Sequence, residues 1–333
     1  MRFALERLRA GPDRPDVVDG RGQTFFAGPI VTIATDGQTP RVAELLHALP
    51  MVKVEAAAVN ASGRLAVLVK RAGGALANPA TWYTSGTVLQ IVPASPSAEV
   101  EILLARVGYR LQKLIIDDKV TPGATAHREN YWKTLTAALA VLREIDTAIA
   151  RGDGLEPVPR FLGLKKLSSN SGRTVALPTP TSNLEPYVRR ALGAITPNDC
   201  GPGGGPHCLI GNAKAMRRLM ATSAGQSGSS GWKEDCASGQ RVFHYTGIPF
   251  YRCDVEIETG NLTRLYAANL GPTGLNLVYA HGTPMSFGLD IDESSPGTGL
   301  AVDDCLVHGA FALALWENEA LFEISNIDVA GDP

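Results

Sequence analysis

Residues 125–154, TAHRENYWKTLTAALAVLREIDTAIARGDG, carry one apolar stripe from end to end. Tyr131, Leu135, Leu139, Leu142, Ile145 and Ile149 recur at spacings of three and four, which a helix of period 3.6 gathers onto a single face. The spacing predicts a helix over about 126–151, with Thr125 as its N-cap and Gly152 as a left-handed stop backed by Asp153 and Gly154. At 1.5 Å per residue it spans roughly 40 Å. It is a strut, and a strut of this length needs a surface to lie on.

The sequence ahead of it has a different period. A short helix over Val42 to Leu49 puts Leu45, Leu46 and Leu49 on one side and ends at Pro50. From Val52 to about Leu104 apolar residues alternate: Val52 and Val54 around Lys53, then Leu65, Val67 and Val69, then Val88 and Val92 around Leu89, Gln90 and Ile91. Two strands joined by the Gly-rich tip RAGGALANPATWYTSG at 71–86 make a long hairpin. A lone two-stranded hairpin is marginal in water, because it orders many residues while covering little apolar area. Leu65, Val67, Val69, Trp82, Tyr83, Leu89 and Ile91 therefore need cover, from the body of their own subunit or from a neighbouring chain.

Downstream of the strut, helices and strands alternate irregularly, which points to α+β rather than a doubly wound sheet. Ser182 reads as the N-cap of a helix carrying Leu184, Val188, Leu192 and Ile195, and Asn212 opens another with Ala215, Met216, Leu219 and Met220 inward. Strands are expected at Cys208 to Ile210, Val242 to Tyr245, Ile248 to Val255, Leu262 to Ala267, Leu275 to Tyr279 and Leu289 to Asp292. The last segment, Cys305 to Val329, sets Phe311, Leu313 and Leu315 against Ala310, Ala312 and Ala314, a strand suited to lying on the strut. Such a return would make the strut's domain discontinuous, with a second domain inserted.

With 333 residues, 44% hydrophobic and 19% charged, the chain is long enough for two cores and too mixed for disorder. Its net charge of -2 excludes a domain-wide basic field, so any contact with DNA must be local. No run of apolar residues suffices for a membrane span, and the opening MRFALERLRAGPDRPD lacks a signal-peptide core, so a protein made in a cytoplasm without membrane partners is expected. Chemistry-bearing patterns are weak. GPGGGP at 201–206 lacks the Gly-Lys-Ser continuation of a phosphate loop, and Ser227 lacks the spacing of a nucleophile elbow. Asp303 with Asp304, and Asp290 with Asp292 and Glu293, are acidic pairs of the kind that surface turns hold. Cys200 and Cys208 flank a loop that a disulfide would close, or they are free thiols as in a reducing compartment. A cysteine-dependent hydrolase using Cys208 and a histidine is the enzymatic alternative; otherwise no catalytic residue, cofactor or metal site is expected.

The order of these pieces resembles the major capsid proteins of tailed bacteriophages with the HK97-type fold. The resemblance rests on the short helix, the β excursion, the lead-in from Arg106 to Asp118, the strut running into Ala150-Arg151-Gly152-Asp153-Gly154, and Phe161-Leu162-Gly163-Leu164. Asn212 to Met220, Tyr245-Thr246-Gly247-Ile248-Pro249 and Ala310 to Ile324 extend it over about residues 42–328. It implies an N-terminal arm and short helix at 1–50, an extended loop (E-loop) at 51–102, a peripheral domain at 103–180 and 303–333 with the strut as its spine helix, and an inserted axial domain at 181–302. It also implies a structural protein without enzymatic activity or cofactor, which self-assembles as hexamers and pentamers into an icosahedral head enclosing double-stranded DNA. Leu65, Val67, Val69, Lys70, Arg71, Trp82, Tyr83, Leu89 and Ile91 would then contact the adjacent subunit. A separate scaffolding protein and a portal are the implied partners, with assembly in a host bacterial cytoplasm and the virion as destination. An encapsulin-like nanocompartment shares the fold and is the nearest alternative.

Overall fold

The computed structural model describes residues 44–54, 58–59, 65–71, 98–114, 123–154, 160–181, 183–195, 207–223, 231–234, 241–253, 255–258, 260–271, 274–282, 287–294 and 302–330. The helices are α1 (Glu44–Ala48), α2 (Gly123–Arg151), α3 (Leu164–Ser171), α4 (Glu185–Ala194) and α5 (Ala213–Ser223). The strands are β1 (Met51–Lys53), β2 (Ala58–Val59), β3 (Leu65–Arg71), β4 (Ala98–Leu103), β5 (Ala105–Leu114), β6 (Thr174–Ala176), β7 (His207–Gly211), β8 (Gly231–Glu234), β9 (Arg241–Tyr245), β10 (Ile248–Arg252), β11 (Leu262–Asn269), β12 (Leu275–Tyr279), β13 (Asp290–Ser294), β14 (Val302–Leu315) and β15 (Leu321–Asp328).

The strut is the 29-residue α2, beginning a few residues ahead of the expected start. Leu135, Leu139, Leu142, Ile145 and Ile149 are all buried in the main core. Its end differs from the expectation in cause. Gly152 donates its amide to the Ala148 carbonyl at 2.8 Å, and the left-handed residue is Gly154, with φ 75°. Gly152 is required for a different reason: the Gly163 amide reaches its carbonyl at 2.7 Å, and a β-carbon at 152 would lie 2.6 Å from the Ala148 oxygen and nearer still to that of Phe161. Two glycines let the returning chain touch the helix end.

The described strands form three sheets, and the helix packs on the one that holds β5 and β14. In the largest, the order is β6-β15-β11-β7-β10-β9-β8. Alternation along its strands divides two cores cleanly, because successive side chains of a strand point to opposite faces. Leu209, Leu265, Ala267, Phe322 and Ile324 face α4 and α5, meeting Val188, Ala191, Met216 and Leu219. Cys208, Ile210, Tyr266, Ala268 and Leu321 face the other way, into the core shared with α1, α2 and the second sheet. Each such side chain, fully buried, contributes about 1.5–3 kcal/mol relative to exposure.

The second sheet is built on β14, which pairs with β5 along one edge and with β12 and β13 end to end along the other; β1 adds to β12 in parallel. Two expectations are corrected here, and one unassigned stretch gains its element. Val52 does not open the β excursion, since Met51–Lys53 pairs with Leu277–Tyr279. The lead-in from Arg106 is strand β5, laddered to β14 over ten residue pairs. Cys305 to Val329 is two strands rather than one: β14 lies on α2 as expected, but a 3-10 turn at Asn318–Ala320 carries β15 into the seven-stranded sheet. Segment 181–302 supplies β7 to β11 to the seven-stranded sheet and β12 and β13 to the sheet of β14, and β6 and β15 from its flanks complete the former.

Two polar clasps join these layers. Glu323 of β15 is buried, accepts from the Ser168 hydroxyl of α3, and meets Arg264 Nη1 at 2.6 Å. Arg264 also grips Glu258 at 2.6 Å, and Lys165 of α3 reaches the same Glu258 oxygen at 2.9 Å. The Lys165 hydrogen bond, helped by Arg264, holds the Glu258 carboxyl below the usual carboxylate range. On the other side, buried Glu44 of α1 accepts from the Arg252 backbone amide at 3.0 Å, from its Nε at 2.7 Å and from its Nη2.

Candidate intersubunit surface

The strands that leave the body are β3 and β4, paired antiparallel from Ala66 opposite Leu103 to Arg71 opposite Ala98, with β2 on the outer edge of β3. Their base is anchored. The Leu104 amide donates to the Leu65 carbonyl at 2.8 Å, and Ala66, Val67 and Leu104 are all buried, with Leu65 and Ile102 half-buried against the same core.

This anchoring buries Val67, expected at a neighbouring chain, and half-covers Leu65. Val67 finds its cover in its own subunit, because β4 runs directly into β5 and so pins the root of β3 and β4 beside the sheet of β14. Val69, Lys70 and Arg71 continue the strand opposite Val100, Glu99 and Ala98. Trp82, Tyr83, Leu89 and Ile91 lie outside the described residues.

Other apolar surface was not legible as such in the sequence. Trp232 is 46% exposed on β8, the edge strand of the seven-stranded sheet, where its ring meets Phe243 edge-on at 6.0 Å. Tyr109 on β5 is 49% exposed. The only signal for either was an aromatic residue among polar neighbours, which is as common in cores as at contacts.

The enzymatic alternative loses its nucleophile. Cys208 is a free thiol in the middle of β7, completely buried, and burial pushes the thiol far above its ordinary value. A cysteine nucleophile requires access and thiolate character, and Cys208 has neither. The Cys208 sulfur points into the core, and Cys200, the other member of the expected disulfide, lies outside the described residues. Among the described residues no group of three or more His, Cys, Asp and Glu side chains is placed to hold a metal ion. Asp292 instead meets Nε2 of His308 at 2.9 Å. No described helix is long and apolar enough to cross a membrane.

No protein-family model and no curated protein sequence matches the chain. Solved structures do match it in fold. The chain is similar to the SrpI encapsulin of Synechococcus elongatus PCC 7942, with a TM-score of 0.59 at 14% identity over 90% of this chain and 92% of that one. It is similar to the capsid of the empty GTA particle, TM-score 0.57 at 13% identity, over 90% and 95% of the two chains. The capsid of the native GTA particle gives 0.55 at 13% identity, over 94% and 99%. The chain has the α+β HK97-type fold of capsid and encapsulin shell proteins. The likeness runs through nearly the full length of both partners, so it is the whole architecture that is shared and not one sheet of it.

Proposed function

We propose that this chain is a shell-forming capsid protein, a phage major head protein that assembles as hexamers and pentamers around double-stranded DNA. The observation that supports it best is the end-to-end likeness to shell proteins whose fold exists in assemblies, at TM-scores of 0.55 to 0.59. The β3–β4 ladder adds to it, because a paired strand couple rooted in the body gives an extended excursion a fixed base, and such a couple gains from cover by another surface. In this reading α2 and the sheet of β14 form the peripheral part, the seven-stranded sheet with α4 and α5 forms the axial part, and Val69, Lys70, Arg71, Trp82, Tyr83, Leu89 and Ile91 dock on the adjacent subunit. A scaffolding protein and a portal complete the assembly in the host bacterial cytoplasm, and the finished protein resides in the virion.

The test is direct. Negative-stain electron microscopy of the expressed chain is expected to show closed shells of uniform diameter; a monodisperse monomer at high concentration refutes the reading. A second reading is favoured by the encapsulin likeness, which is as strong as that to the GTA capsids. An encapsulin-like compartment would enclose protein cargo. Nuclease-protected DNA within purified shells supports the head, and a protected protein with no DNA supports the compartment.

A further inference from the structure

The layer of α4 and α5 has an inner face and an outer one, and they differ in charge. The inner face, Val188, Ala191, Met216 and Leu219, lies on the seven-stranded sheet. On an α-helix the outward positions are then those three and four residues apart on the opposite side. They hold Arg189 and Arg190 on α4 and Lys214, Arg217 and Arg218 on α5. Against five cations the two helices carry one carboxylate, Glu185, in a chain whose net charge is -2. Glu185 bridges Arg189 one turn on at 2.5 Å, and Arg218 donates to the Thr181 carbonyl at 3.0 Å, which draws α5 towards the start of α4. The helices touch, which sets the two groups of cations on neighbouring outer faces.

We propose that this face binds the phosphate backbone of double-stranded nucleic acid without reading its bases. The inference rests on the shell reading, in which the bound molecule is the enclosed DNA, and it locates the local basic contact that the overall charge requires. Four of the five cations are arginines, whose planar forks match phosphate oxygens. Base readout is excluded by shape. Two helices packed side by side on a sheet present a surface roughly 20 Å wide, too broad for a major groove about 12 Å across. An acidic protein partner fits the charge but not the rest of the face. The remaining outward positions, Pro186, Gly193 and Ala221, offer no large apolar anchor of the kind that dominates protein interfaces.

The full chain is titrated, as unassembled subunits, with a mixed-sequence duplex of about 20 base pairs, and binding is followed by fluorescence anisotropy across a salt series. Replacing Arg190, Lys214, Arg217 and Arg218 by Gln leaves the Arg189–Glu185 pair in place. It is expected to weaken binding at least tenfold at about 0.1 M salt, equally for unrelated sequences, and to flatten the salt slope by up to about 3.6. The Arg190→Lys, Arg217→Lys, Arg218→Lys variant is expected to keep the wild-type slope, which separates charge from folding if the Gln variant melts early. An unchanged slope in the Gln variant overturns the proposal, and so does poly-glutamate binding as tightly as duplex, which assigns the face to an acidic protein. Micrographs are scored separately. A lost slope without wild-type shells sinks the shell reading and keeps the surface, whereas shells with an unchanged slope sink the surface alone.

Discussion

Gly152 and Gly163 meet where α2 ends, and neither has room for a methyl group. A β-carbon at Gly163 would stand 2.5 Å from the Ala148 oxygen and 2.7 Å from both the Gly152 nitrogen and the Ile149 oxygen. These neighbours are backbone atoms, which cannot swing aside. Gly163→Ala is therefore expected to cost about 3 kcal/mol, from overpacking at its upper range. Gly172 is the control. It has φ 68° with nothing within 4 Å of its added β-carbon, so Gly172→Ala should cost only the left-handed penalty of about 1 kcal/mol. Urea denaturation of the unassembled subunit distinguishes the two. A second expectation concerns Glu258, whose carboxyl is held below its usual range by Lys165 and Arg264. A depressed carboxylate stabilises above its unfolded value, about 4.3, and that contribution is lost as pH falls through the lower folded value. Glu258→Gln should accordingly lower Tm at neutral pH and converge with the wild type in acid; a constant offset at every pH would show that the charge plays no part. Gly152 was readable as the stop of a helix, but the steric reason was not, since the colliding carbonyl belongs to Phe161 on the returning chain.

At the scale of elements, α1 illustrates what local pattern supplies and what it omits. Leu45, Leu46 and Leu49 are buried as their spacing predicts, but five helical residues are too few to hold on propensity alone. The tie to β10 through Glu44 and Arg252 supplies the missing constraint, with a half-buried guanidinium facing a buried carboxylate. Removing one partner of such a pair costs more than the pair contributes, because the other is left desolvated. Arg252→Ala is expected to destabilise by about 3 kcal/mol and to speed amide exchange throughout α1. Unchanged exchange there would mean that the apolar contacts suffice. At α5 the sequence was more complete: Asn212 accepts from the Ala215 amide at 2.7 Å, the N-cap that its position announced. Ahead of α4, Asn183 accepts from the Glu185 amide at 3.1 Å, while Ser182, the expected cap, lies outside the described residues. The positions of β7 and of β9 to β13 were legible from their apolar runs, whereas β4, β5, β6 and β8 were not, nor were any partners. Nothing in Met51–Lys53 names β12, and nothing in Leu321–Asp328 says that it leaves the sheet of β14.

For the whole molecule, the decisive property is the separation between what folds the subunit and what joins subunits. Val67 belongs to the first class, being 8% exposed in its own core. Under the proposed assembly Trp82 and Tyr83 belong to the second. Trp82→Ala with Tyr83→Ala should abolish shells in micrographs while shifting the subunit's Tm by less than about 2 °C, and Val67→Asp should lower the Tm outright. If the double variant assembled normally, Trp82 and Tyr83 would not be essential contacts. By itself the sequence determined the strut, its apolar face and the α+β class, because helix period and strand period are written in neighbouring residues. Only the tertiary structure decided that β14 and β15 lie in different sheets, that Val67 is covered at home, that Cys208 is sealed off, and that α4 and α5 touch. Those outcomes depend on contacts between residues far apart in the chain, and such contacts are set by which faces can be buried together, a quantity that no local spacing records.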